Sequence, residues 1–240
     1  MLLSGKVALV TGGSKGLGRA ISLAYAREGA AVVTCSRDAT SLREVERELS
    51  KIHASCLVLP ADVSKPDDVK KLVDQCVSRF GRIDVLVNNA SVLGPRAEIV
   101  EYPVEEWQEV VDVNLFGAFL LSKEVARIMM VQKSGSIINI SSSVGRRGRA
   151  RWGAYAVSKF GLEGLTQVLA DELKPYSIRV NSVNPGAMAT EMRHAAYPEE
   201  DQSKLKRPEE TLGVYLYLAS DESVGKTGGQ YDAQSFVRPQ

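Results

Sequence analysis

The chain has 240 residues, enough for one α/β domain with a sizeable core, and 44% apolar with 25% charged residues is an ordinary globular composition. A formal net charge of +1 argues against partners chosen by bulk charge, so neither nucleic acid nor an anionic membrane is expected. No apolar run approaches the ~18 residues of a membrane-spanning helix, Ser4, Gly5 and Lys6 interrupt the N-terminal apolar run too early for a secretory leader, and a cytoplasmic location is expected.

Short β-branched runs alternate with longer helical stretches. Strands are predicted at Val7–Thr11, Ala31–Cys35, Cys56–Pro60, Val85–Asn88, Ser136–Ile140 and Ile178–Val183. They are nearly continuous in apolar residues, as strands buried on both faces should be. The first helix, Leu17–Glu28, follows a glycine loop and ends at Gly29. Ser41–Ile52 follows, highly charged, and then Pro66–Phe80, which opens on a proline suited to a first helical turn and ends at Gly81. Val104–Val131 reads as one long helix, Ala154–Leu173 as another stopped before Pro175, and Leu212–Ser220 as a late one. The polar segment Arg193–Arg207 reads as a loop or mobile cap, and the tail from Gly228 as one short strand. This alternation implies an α/β chain of Rossmann type. A single domain over 1–240 is expected, with a doubly wound parallel sheet, helices on both faces and right-handed crossovers.

Cys35, Cys56 and Cys76 are odd in number, widely spaced and form no CxxC pair, so they read as small buried apolar residues. His53 and His194 lie among no other candidate ligands. No metal is expected, a histidine-based triad is hard to build, and acid–base work must fall to another residue type.

The first strand runs into Thr11-Gly12-Gly13-Ser14-Lys15-Gly16-Leu17-Gly18. Ligands of such sheets bind beyond the carboxyl ends of the strands. Glycines let backbone come close to a pyrophosphate, and the following helix offers free N–H groups and a positive dipole end. A glycine trio alone is also an ordinary turn; its place between a strand and a helix points to a dinucleotide. At the end of the second strand, an acidic residue would accept hydrogen bonds from the ribose of NAD. Cys35-Ser36-Arg37 stands there instead. Ser36 is neutral, Arg37 can meet a 2′-phosphate with a planar donor fork, and Lys15 adds a second cation, so NADP(H) is expected. Asp38 comes one residue late for the NAD role.

Tyr155 and Lys159 are four apart in a helical stretch and share a face. An ammonium beside a phenol of ordinary pKa ~10 favours the phenolate, which makes tyrosine an acid–base group without histidine. Strand five ends in Ser141-Ser142-Ser143, and a hydroxyl there can stabilise charge developing on a substrate oxygen. Asn114 by itself reads as a helix interruption or an internal hydrogen bond. Taken together, several motifs resemble the short-chain dehydrogenase/reductase family over almost the whole chain. They are the TGxxxGxG loop, Asn88-Asn89-Ala90-Ser91 in place of NNAG, Asn114, Ser142 thirteen residues before Tyr155, the YxxxK pair, and Pro185-Gly186-Ala187-Met188-Ala189-Thr190 in place of PGxxxT. Ser91 replaces the usual glycine and is expected to crowd or re-angle its turn.

The resemblance implies that Gly12, Ser14, Lys15, Gly16, Leu17, Gly18, Ser36 and Arg37 bind the phosphate and ribose part of NADP(H). It likewise implies Asp62 and Val63 at the adenine, Asn89 and Ala90 on the cofactor, and Pro185, Gly186, Met188 and Thr190 at the nicotinamide end. It implies a catalytic set of Ser142, Tyr155, Lys159 and Asn114. Ser142 would bind the substrate oxygen and Tyr155 would donate the proton. Lys159 would orient the ribose and lower the tyrosine pKa, and Asn114 would help hold a relay water. The implied reaction interconverts a carbonyl and an alcohol on a small molecule. A homotetramer or homodimer is implied too, although the tail Gly228–Gln234 departs from the family's VDGG ending.

Between Ser142 and Tyr155, four arginines fall within six residues, Arg146, Arg147, Arg149 and Arg151. They read as an attractor for an anionic substrate, as a solvated loop, or as cations paired with acids of another subunit. The cap between Thr190 and Pro208 looks short, which suggests an open pocket for bulky substrates. Within the family, a 3-oxoacyl-carrier reductase and sugar, polyol or steroid-like ketone reductases stay open. An extended-branch epimerase or dehydratase would carry TGxxGxxG. A non-catalytic NADP-sensing protein is the reading from a different class, and it predicts a lost tyrosine or lysine where both are present.

Overall fold

Seven strands form one sheet, β1 (Val7–Thr11), β2 (Ala31–Ser36), β3 (Cys56–Pro60), β4 (Val85–Asn88), β5 (Gly135–Ile140), β6 (Ile178–Asn184) and β7 (Gln230–Asp232). The computed structural model describes residues 1–52 and 54–239, so His53 and Gln240 lie outside the described residues. All pairings are parallel, in the order β3-β2-β1-β4-β5-β6-β7. Chain order reverses between β1 and β4, which opens a crevice beyond their carboxyl ends where ligands of such sheets bind.

The helices α1 (Gly16–Arg27), α2 (Ala39–Lys51), α3 (Pro66–Phe80), α4 (Val104–Val111), α5 (Gly117–Gln132), α6 (Gly153–Leu173), α7 (Glu191–Ala196) and α8 (Gly213–Ala219) complete the fold. Successive strand side chains point to opposite faces. Ala8 and Val10 of β1 therefore join Ile21, Tyr25, Leu49, Tyr215 and Leu218 in one core. Val7 and Leu9 join Leu72, Leu121, Val125 and Met129 in the other. Every residue of β1, β4 and β5 is buried, which is the cause of their nearly continuous apolar runs. Each large side chain so buried contributes roughly 1.5–3 kcal/mol.

Two expectations need correction. Val104–Val131 is not one regular helix, because α4 and α5 are joined by a π-helical turn over Asp112–Phe116. The turn accommodates two long-range contacts that spacing does not reveal. Asn114 binds the backbone of Val92, and Gly117 packs so closely on Val63 that an added Cβ would lie 2.9 Å from its side chain. Arg193–Arg207 is not plain loop either. Thr190 caps α7 by accepting from the Arg193 N–H at 3.2 Å, and Arg193 grips Glu200 through two bonds of 2.6 Å. The Ala189 N–H then donates to the Lys206 carbonyl at 2.9 Å and closes the cap.

Candidate active site at the carboxyl edge of the sheet

Thr11, at the end of β1, stitches the glycine loop to the turn after β4. Its hydroxyl oxygen accepts from the N–H groups of Asn89 and Ala90, both at 3.0 Å. The Asn89 amide donates to the Thr11 and Gly12 carbonyls at 2.8 and 3.2 Å. Gly12 has φ +65°, and a Cβ there would lie 2.9 Å from the Ala90 Cα, so only glycine fits. No side chain caps the N-terminus of α1, which leaves its first N–H groups free for an anion.

A cavity of about 370 Å³ extends from this loop. Of the expected cofactor residues it is lined by Gly12, Ser14, Lys15, Gly16, Leu17, Ser36, Arg37, Asp62, Val63, Asn89, Ala90, Pro185, Met188 and Thr190, with Tyr155 and Lys159. Gly18 and Gly186 are not on its wall; Gly18 backs onto the Gly12 carbonyl inside the loop, and Gly186 lies on a second cavity. Asp38, the ambiguous acid, is the N-cap of α2 and accepts from the N–H groups of Thr40 and Ser41, so its carboxylate has a structural role. The two cations each hold an acid from another element. Lys15 pairs with Glu191 of α7, and Arg37 with Glu109 of α4 at 3.0 Å. Both pairs are solvent-exposed and worth only about 0.2–1 kcal/mol each, so neither cation is firmly committed to its acid.

The second cavity, about 310 Å³, adjoins the first, and Tyr155 lies on the wall of both. Ser142 and Ser143 line this second cavity, so Ser142 reaches the site across from the glycine loop. Asn114 lines neither cavity. Its amide is committed to the Val92 backbone at 2.8 and 2.9 Å and to Ser158 at 3.1 Å. Lys159 is buried, and its ammonium donates to the Ile140 carbonyl at 2.8 Å and sits 5.5 Å from the Tyr155 ring centre.

The electrostatics differ from the sequence-based expectation. Burial pushes the Tyr155 phenol up to about 12, against the hydroxyls of Ser142 and Ser91, which favour the phenolate. Burial also lowers Lys159 to about 7, with Glu163 opposing. The lysine therefore carries only part of its charge at neutral pH, and without a further cation it does not bring the phenol into the neutral range.

The arginine cluster divides. Arg146 turns inward and pairs with Glu163 at 3.2 Å and Asp232 at 3.1 Å of its own chain. Arg151 donates to the Arg96 carbonyl at 3.0 Å. Among the described residues, only Arg149 of the four reaches a cavity wall, and it has no ion-pair partner there. The same wall carries three aromatic rings, Trp152, Tyr155 and Tyr197. Trp152 lies 5.5 Å from Tyr155 and 6.1 Å from Tyr197, centre to centre. Arg96 stacks at 4.4 Å over Trp152 and 5.1 Å over Tyr197, and donates to the carbonyls of Arg151 and Ala196. No local pattern marks Arg96, whose partners are 55 and 100 residues away.

Among the described residues no group of histidine, cysteine and acidic side chains is placed to hold a metal, and no helix is long and apolar enough to cross a membrane. Cys35 and Cys76 are buried with their thiols pushed up to about 12, and His194 lies exposed on α7.

A family model described as short chain dehydrogenase matches residues 6–201. The uncharacterized oxidoreductase YciK of Escherichia coli K12 is 38% identical over 241 residues, covering 99% of this chain and 95% of that protein. The 3-oxoacyl-[acyl-carrier-protein] reductase FabG of Thermotoga maritima is 38% identical, covering 95% and 96%. The crystal structure of a short chain dehydrogenase from Escherichia coli CFT073 complexed with NADPH superposes with a TM-score of 0.93 at 39% identity, over 97% of this chain and 98% of that one.

Proposed function

Because this chain belongs to the short-chain dehydrogenase/reductase family, we propose that it is an NADPH-dependent carbonyl reductase whose proton donor is Tyr155. The observation that carries this reading is the position of Tyr155 on the wall shared by the two cavities, where one reactant on each side meets the same phenol.

The glycine loop, the uncapped start of α1, Arg37 and Lys15 fit the phosphates of NADP(H), and Ser36 leaves room where NAD selection would need an acid. When bound, the cofactor supplies the hydride. Ser142 donates a hydrogen bond to the substrate carbonyl oxygen, and Tyr155 gives that oxygen its proton. A phenol held near 12 is protonated at neutral pH, which suits it to the reducing direction. Lys159 orients the ribose end and supplies positive charge when protonated. Asn114 is a positioning residue that ties the Asn89–Val92 turn to Ser158 of α6.

The second cavity suits a carbonyl compound with a planar or apolar body, for Trp152 and Tyr197, and an anionic end, for Arg149. A 3-oxoacyl group on a phosphorylated carrier meets both conditions, as does an aromatic keto acid. A panel of neutral and carboxylate-bearing carbonyls, followed by NADPH absorbance, tests the activity. Turnover of none of them, despite tight NADPH binding, moves the reading to a sensor. In the same panel Arg149→Ala is expected to raise KM for the anionic members about 5–10-fold and leave neutral members within about twofold. An equal change for both classes removes the anion site.

Glu109 competes with the cofactor for Arg37. Glu109→Gln is expected to tighten NADPH about 2–5-fold and leave NADH unchanged, while Arg37→Ala weakens NADPH alone. Nucleotide fluorescence titration reads both, and parallel shifts for the two nucleotides disprove the phosphate contact.

Self-association as a homodimer or homotetramer is supported by an exposed apolar face. Phe116 and Phe119 stack at 6.0 Å, and Val157, Phe160 and Val168 line the outside of α6.

A further inference from the structure

The Ser91 hydroxyl is shielded from solvent and makes no hydrogen bond among the described residues. A buried hydroxyl without a partner is a cost that native proteins rarely carry unless a site uses it. Ser91 lines the cofactor cavity with Tyr155 and Lys159. Both neighbours along the chain are anchored. Ala90 donates its N–H to Thr11 at 3.0 Å, and Val92 is bonded through both N–H and carbonyl to Asn114. Ser91 is not among the residues with positive φ, so its side chain sits there without left-handed backbone strain. The hydroxyl is thus held in place by scaffold on both sides, on the cavity wall it shares with Tyr155, where the Ser91 and Ser142 hydroxyls both favour the phenolate.

We propose that Ser91 is a hydroxyl donor to the Tyr155 oxygen, stabilising the phenolate that remains once the proton has left while the single Ser142 hydrogen stays with the substrate oxygen. The proposal rests on Tyr155 as the proton donor. In reduction the Tyr155 O–H bond breaks and its proton forms the new O–H bond of the product alcohol. The electron pair stays on the phenolate oxygen, where the Ser91 hydrogen bond meets it. In alcohol oxidation the same bond favours the basic form before reaction. Glycine at this position has no such donor, so Ser91 shifts the balance between the two forms in this chain.

The test is an ultraviolet difference titration of the Tyr155 phenol in the NADP⁺-saturated protein, with each background carrying Tyr155→Phe as its blank. Ser91→Ala is expected to raise the ionisation midpoint by about one pH unit, as loss of a hydrogen bond to a charged group should. Ser91→Gly should move it by the same amount, and NADP⁺ affinity should stay within about twofold in both. A midpoint that stays put in both variants overturns the proposal, as does a shift seen only with weakened NADP⁺ binding. The titration needs no substrate, so failure of the carbonyl panel would refute the reductase reading without deciding the fate of Ser91.

Discussion

Tyr155→Phe is expected to lower kcat/KM for carbonyl reduction by about 10²–10⁴ and to leave NADPH affinity within about threefold. The two effects separate because the residue does two things. Its ring is packed 5.5 Å from Trp152 and forms wall for both cavities, and phenylalanine keeps all of that. Its hydroxyl is the group expected to supply the proton, and phenylalanine removes only that. Ser142 loses a neighbour in the variant, a cost of order 1 kcal/mol that falls on stability. Steady-state kinetics with fluorescence titration of NADPH checks both halves. Undiminished turnover would hand the proton to another group.

Lys159→Met should abolish turnover by at least about 10²-fold and at the same time stabilise the cofactor-free protein near neutral pH. The reason is the burial of an ammonium whose bonded partner is one carbonyl, at the end of β5. Its folded pKa, about 7, lies below the unfolded value of 10.5. Between those values the unfolded chain binds a proton that the folded chain does not, so stability rises with pH there. Below about 7 the full cost of burying the charge is present. Tyr155 works the other way at higher pH, because its unfolded form ionises from 10 while its folded form waits until about 12. The clean window is therefore about pH 7 to 10. Denaturant midpoints of the two proteins should differ most at pH 6, in favour of Lys159→Met, and converge as pH climbs through that window. A constant difference across it would mean that the buried lysine keeps its charge at no cost.

The order of elements was legible because both core faces of the sheet impose nearly continuous apolar runs on the strands, and because glycine and proline punctuate the helices at Gly29, Gly81 and Pro175. Tyr155 and Lys159 were legible as a pair for the same kind of reason, since four residues is one helical turn. What they do to one another was not. Four-residue spacing says that an ammonium is near a phenol. It does not say that both are so buried that desolvation is the largest influence on each.

The chain order of motifs thus determined the family, the parallel sheet and the residues around the crevice, because each depends on patterns repeated within a few residues of one another. Tertiary structure decided the rest. It gave Lys15 and Arg37 the acids Glu191 and Glu109, 176 and 72 positions away, turned Arg146 inward to Glu163 and left Arg149 at the pocket. It also brought Ser91, 64 positions before Tyr155 in sequence, onto the wall of the same cavity, with its hydroxyl unpartnered among the described residues. These are contacts between distant segments. Their consequences depend on burial and on which neighbours compete for a charge, quantities that exist only once the chain has closed on itself.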